Sequence, residues 1–168
     1  LAATLLSTYF NRDDEIETYL VQYNDSFPAA DELRTQIDRT MKTIEWMALP
    51  LGTRAYQKTD LFTLIVEVHR SVFRRKIELR NDATVPERLL DFYRQVERSK
   101  SAGDSISLAG IYYRTTVRAA IDRINRYRRG EIIQAVLDPK YSPQLRAMPA
   151  EQVGGSDQEE LGLEEGDY

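Results

Sequence analysis

Apolar side chains recur at spacings of three and four through the first 140 or so residues, and this pattern limits the chain to one kind of body. In "DELRTQIDRTMKTIEWMAL", Leu33, Ile37, Met41, Ile44 and Met47 fall on one face of a helix, which Pro50 and Gly52 end. Upstream, "LAATLLSTYF" aligns Leu1, Leu5, Leu6 and Tyr9. "DDEIETYLVQY" aligns Ile16, Leu20 and Tyr23 behind a first turn of acids, and Pro28 interrupts. The segment "YQKTDLFTLIVEVHRSVFRRKIEL" is the most apolar. Leu61, Leu64, Ile65, Val68 and Val72 form one face, while Phe62, Val66 and Phe73 widen it, which predicts a helix buried on more than one side. Its β-branched residues also permit a strand over 62–68, but length and spacing favour helix. Thr59 is its expected cap, with Asp60 in the first turn.

"NDATVPERLLDFYRQVERSK" restarts the pattern behind Thr84 and Pro86. "SAGDS" is a loop, and one long helix is expected over residues 108–137, with Gly110 and Gly130 as weak points and Asp138-Pro139 as its stop. The expected fold is all-α: an irregular bundle of about six helices over residues 1–142, then an acidic tail over 143–168, disordered or extended and without a core of its own.

Charge divides along the same line. The chain carries 23 Lys+Arg against 27 Asp+Glu, but residues 151–168 hold seven of the acids and none of the bases. Residues 1–150 therefore carry 20 acids and a net charge of +3, a mildly basic body that permits a nucleic-acid partner without requiring one. There is no cysteine, so disulfides and thiolate metal sites are excluded, which fits a reducing compartment such as the cytoplasm. No apolar run is long enough for a membrane span. The opening "LAATLLSTYF" lacks the basic flank of a signal peptide and reads as an amphipathic helix cut at its start, so a longer parent protein is expected.

Little in the chain points to catalysis. His69 is the only histidine, and a general base needs a partner that the sequence does not identify; a structural or surface role is expected. No glycine-rich phosphate loop, metal-ligand spacing or cofactor motif occurs, and Asp13-Asp14-Glu15 fits a solvated helix start better than a cation site. Trp46 and the ten tyrosines could stack on bases but lie at core spacing.

The strongest functional candidate is "RAAIDRINRYRRGEI". On a continuous helix, Asp122 bridges Arg118 and Arg126 at i±4, while Val117, Ala120, Ile121 and Ile124 form the packing stripe. Arg114, Arg118 and Arg129 then share one strip, with Arg123 and Arg126 on flanking strips and Arg128 beside them. Planar guanidinium groups suit phosphates and the carboxylates of a neighbouring domain equally well. Three readings stay open: a charged face with internal ion pairs, a protein interface, or a DNA contact. Arg70, Arg74, Arg75, Lys76 and Arg80 make a second basic cluster.

The order of elements carries a resemblance. "LLSTYFNRDDEIETYL", a helix ending in "IEWM", "YQKTDLFTLIVEVH" and "YYRTTVRAAIDRINRYRRGEIIQAVL" together resemble the helical region downstream of the ParB-like nuclease domain in the GmrS-type restriction and phage-defence family. The matching positions are Tyr56, Lys58, Asp60, Leu61 and Phe62, then Asp122, Arg126, Arg128 and Arg129. Full-length members are NTP-dependent DNA endonucleases whose chemistry belongs to an Asp-Gly-Gln-Gln-Arg-type motif, and no such motif occurs in this chain. The resemblance therefore implies a non-catalytic accessory domain, with Lys58, Asp60, Phe62 and Asp122 in structural roles. The arginines would face DNA or the nuclease domain.

Overall fold

The computed structural model describes residues 1–9, 14–104, 106–117 and 120–145; the expected acidic tail from residue 146 onward and Arg118 lie outside them. Among these residues the fold is all-α and contains no strand: α1 (Ala2–Leu6), α2 (Asp14–Gln22), α3 (Ala30–Trp46), α4 (Lys58–His69), α5 (Val85–Ala102), α6 (Leu108–Val117) and α7 (Arg123–Leu137). No helix among them is long and apolar enough to cross a membrane.

α4 is the organising helix. Leu64 and Val68 join the main core with Ile44 of α3, Leu89, Phe92 and Val96 of α5, Tyr112 of α6, and Ile132, Ile133 and Leu137 of α7. Val66, on its other side, packs with Leu5, Tyr9 and Leu33 in a second cluster. Burial on two sides is what its double apolar face requires, and each fully buried Leu or Val contributes about 1.5–3 kcal/mol. The helix begins two residues earlier than expected: Gln57 is the flanking residue, and Thr59 already lies inside α4, where its carbonyl accepts the Thr63 hydroxyl at 3.0 Å.

α4 runs on into one π-helical turn, Arg70–Arg74, closed by the Arg75 N–H on the Arg70 carbonyl at 3.0 Å. Lys76 then takes φ +58°, a left-handed conformation that costs a non-glycine residue roughly 1 kcal/mol. Chain reversal into the 3₁₀ turn Leu79–Asn81 follows.

α5 ends at Gly103, whose φ of +62° makes the left-handed cap for which glycine is suited. The next turn is an Asp104 device. Its carboxylate accepts the N–H groups of Ile106 (3.0 Å) and Ser107 (3.1 Å) and the Ser107 hydroxyl, and Ser107 Oγ accepts the Gly110 N–H at 3.1 Å to cap α6. Gly110 is present because of this turn: a Cβ there would stand 2.2 Å from the Asp104 carbonyl oxygen. That is a backbone collision that no rotamer relieves. Gly110→Ala is expected to cost about 2 kcal/mol or more, a fall in Tm of roughly 4–8 °C for a domain of this size; an unchanged melting curve would show that the turn relaxes freely.

The sequence pattern predicts one helix over 108–137, and the structure has two. Ala120 and Ile121 form a turn, and Asp122 adopts extended backbone (φ −63°, ψ +140°) as the residue before α7. Asp122 is thus the residue ahead of α7 and not a position within one continuous helix, and Arg118, one of its two expected partners, lies outside the described residues. The Asp122 carbonyl accepts the Arg126 N–H at 2.9 Å as the first bond of α7. Ordered packing runs past residue 142: Glu131 Oε2 accepts the Tyr141 hydroxyl and the Gln144 N–H, both at 2.7 Å, and Leu145 packs on the main core.

Candidate functional site

The break between α6 and α7 is held from beneath by Arg129. This side chain is 2% exposed and reaches back across the elbow. Its two terminal nitrogens donate to the Thr115 carbonyl at 2.5 Å and the Ala120 carbonyl at 2.7 Å, and Nε lies 3.4 Å from Thr63 Oγ1 of α4. The carbonyls at a helix C-terminus have no partner within the helix and form the negative end of its dipole, so a buried cation there meets both needs. Arg129 therefore leaves the strip expected for Arg114, Arg118 and Arg129: it faces inward onto these two carbonyls, while Arg118 lies outside the described residues. Burial lowers the proton affinity of its guanidinium, opposed by Tyr112, Tyr9 and Asp60.

Other arginines do the same. Arg88 donates to the carbonyls of Val136 and Leu137 at the end of α7, both at 3.0 Å. Arg74 donates to those of Leu5 (2.7 Å) and Ser7 (3.1 Å) at the end of α1, and Arg80 to that of Lys42 (2.6 Å) near the end of α3. Two members of the second basic cluster, Arg74 and Arg80, are thus bound to backbone. Arg88 also pairs with Asp82 at 2.9 Å, and the Thr84 hydroxyl, Arg88 and the Thr84 N–H together hold the Asp82 carboxyl down at about 2.

The counter-charges lie on α4. Asp60, Thr63, Glu67 and Ser71 follow one another at helical spacing and are all buried, a polar stripe inside the most apolar helix. Asp60 Oδ2 stands 3.0 Å from Arg54 Nε, and Arg54 continues to Glu97 (3.0 Å) and the Thr116 hydroxyl (2.7 Å). Burial pushes the Asp60 carboxyl up, against the pull of Tyr112, Arg54 and Arg129. Glu67 accepts the Tyr9 hydroxyl (2.9 Å) and Arg70 (2.8 Å) on one oxygen, while Arg75 lies 3.5 Å from the other. Burial raises its pKa too, despite both arginines. Gly130 of α7 passes over this group so closely that a Cβ would stand 2.7 Å from Glu67 Oε1 and 2.8 Å from the Tyr9 ring. Both expected weak points, Gly110 and Gly130, are positions of close approach.

His69 is buried, with Nε2 2.9 Å from Gln36 Oε1 and its ring 4.9 Å from that of Phe73. Burial, then Arg74 and Arg70, hold its pKa at about 4. A histidine kept neutral when folded but free to protonate when unfolded stabilises the fold fully above pH 6.5. That stability is lost as the pH falls toward 4, amounting to about 2 kcal/mol with allowance for solvent screening. Urea unfolding of the parent and of His69→Gln between pH 7 and 4 is expected to converge on acidification; parallel curves would show that His69 titrates normally.

The surface of the elbow is different in character. Val117 and Ile121, expected in the packing stripe, are 61% and 66% exposed, and Ile124 is half-buried. Arg114 and Arg123 are exposed beside them, while Arg126 and Arg128 are half-buried. Arg126 lies over the half-buried Phe62 ring at 5.7 Å. Lys58 is exposed at the start of α4, where Asp60 points inward. Asp13 and the side chains of Asp14 and Glu15 lie outside the described residues. Among the described residues no group of acids and histidine is placed to hold a metal ion.

Sequence reasoning missed Arg54, Glu67 and Glu131. The signal for Glu67 was present: on a helix apolar on two sides, polar residues at 60, 63, 67 and 71 have no solvent to face. Arg54 follows a turn and has no periodicity to mark it. No protein-family model, curated protein or solved structure matches the chain.

Proposed function

We propose that the chain is a non-catalytic helical accessory domain of a DNA-targeting, ParB-like nuclease of the restriction or phage-defence kind, and that it docks on the nuclease domain through the α6–α7 elbow. The observation that carries this reading is the make-up of the elbow: exposed Val117 and Ile121, flanked by exposed Arg114 and Arg123 and held from below by Arg129. Apolar side chains mixed with arginine are the composition of protein interfaces, whereas a DNA surface needs a run of phosphate-facing cations. The inward turn of Arg129 removes one cation from such a run. A basic body also favours an acidic face on the partner.

The test is a calorimetric titration of the chain with a ParB-like nuclease domain from the same gene product, with duplex DNA titrated in parallel at several salt concentrations. Val117→Asp combined with Ile121→Asp is expected to weaken the domain–domain complex by about tenfold or more. Duplex DNA is expected to bind no more tightly than a non-specific ligand, about 10⁻⁴–10⁻⁶ M at physiological salt. Tighter DNA binding, steeply salt-dependent and lost in Arg114→Glu or Arg123→Glu, would replace docking by DNA holding.

A further inference from the structure

A cleft of about 390 Å³ lies between α3 and the chain that leaves the π turn. Its floor includes Val72 of that turn, Leu79 of the 3₁₀ turn and Thr43 of α3, all buried. Its rim holds three cations, Arg39, Lys42 and Arg80, and two acids, Asp38 and Glu78. Both guanidinium groups are set in place by the protein. Arg39 lies over the Phe73 ring at 5.6 Å and meets Glu78 at 2.9 Å; Arg80 donates to the Lys42 carbonyl at 2.6 Å. A guanidinium has five N–H donors, and each of these uses one on the protein partner named. Lys42 lines the same cleft, about one helical turn after Arg39 on α3.

Two backbone features adjoin the cleft. Val72 belongs to the π-helical turn, and the left-handed Lys76 lies between that turn and Leu79. π turns and left-handed non-glycine residues cost energy and concentrate at binding sites, where the geometry they impose is used. Here they bring Val72, Leu79 and Arg80 to face α3.

We propose that this cleft binds a small molecule bearing an oxyanion on a compact apolar body. The oxyanion lies among Arg39, Lys42 and Arg80, and the body rests on Val72 and Leu79. The volume suits a small ligand rather than a macromolecular chain. Charge-assisted hydrogen bonds from pre-placed guanidinium groups suit phosphate or carboxylate. Glu78 is the built-in competitor: it occupies Arg39 in the absence of ligand, and the incoming oxyanion takes its place. The affinity then depends on the balance between the three cations and Glu78, with Asp38 adding a weaker repulsion from the same rim.

The experiment is an NMR titration of the whole chain with phenyl phosphate, benzoate, inorganic phosphate and the neutral benzyl alcohol. Phenyl phosphate is expected to shift the amides of Thr43, Val72 and Leu79. Either it or benzoate binds more tightly than inorganic phosphate, and which of the two is tighter identifies the headgroup. Lys42→Ala and Arg80→Ala are each expected to weaken binding by about tenfold, and Glu78→Gln to strengthen it by about threefold. All three side chains are exposed, so the variants should fold; unchanged spectra outside the cleft verify this. Equal shifts with benzyl alcohol, an affinity indifferent to Lys42 and Arg80, or a loss of binding in Glu78→Gln would overturn the assignment.

Discussion

Replacing Arg129 with alanine is expected to lower the stability of this domain by about 3–5 kcal/mol, a large part of what a natural fold possesses. The loss has two sources. The carbonyls of Thr115 and Ala120 lose a charged donor in a place where the side chain they bond is almost fully buried. Asp60, buried and already pushed toward its protonated form, loses one of the cations that hold it ionised. Arg129→Lys should recover only part of this, since one ammonium cannot span Thr63, Thr115 and Ala120 in the fork that the guanidinium makes. Exposed Arg123, six residues away on the same helix, is the control, and its alanine variant should stay within about 0.5 kcal/mol of the parent. Urea unfolding measures all three. Equal, small effects at Arg129 and Arg123 would mean that the clamp contributes nothing.

Glu67→Ala is expected to be comparably severe, about 3–5 kcal/mol, because it strands Arg70, Arg75 and the Tyr9 hydroxyl together. Glu67→Gln keeps an acceptor for Tyr9 and Arg70 and avoids the burial of charge, so about 1–3 kcal/mol is expected. The sign of the pH dependence follows from the raised pKa of Glu67. Between the ordinary carboxyl value of 4.5 and its higher folded value, the native state holds the extra proton, so this group favours folding at the acid side and that contribution fades as the pH rises. In Glu67→Gln that slope should disappear. A variant with the parent's stability and slope would place Glu67 outside the load carried by α4.

The sequence made some of this fold legible for plain reasons. α4 carries apolar residues on two faces and is buried on two sides. α3 ends at Trp46, shortly before Pro50, and α7 ends at Leu137, just before Asp138-Pro139, where the residue ahead of a proline leaves the helical region. The break before α7 was hidden because Val117, Ala120, Ile121 and Ile124 keep helical spacing straight through it. Periodicity reports what a helix would bury, not whether a distant guanidinium will hold the backbone carbonyls of a turn ahead of the next helix. One local clue existed: Asp122 is among the residues preferred just ahead of a helix. The arginines were legible as a cluster but not as individuals. Arg123 and Arg129 look alike in sequence and differ in whether a helix end lies within reach. The two apolar residues assigned to packing, Val117 and Ile121, became the exposed part of the elbow for the same reason.

The most direct test is hydrogen exchange of the elbow, residues 114–124, in the presence of a ParB-like nuclease domain and, separately, of duplex DNA at physiological salt. Docking through the elbow predicts slower exchange around Val117 and Ile121 with the protein partner and no change with DNA. Protection by DNA alone, with none from the nuclease domain, would contradict it.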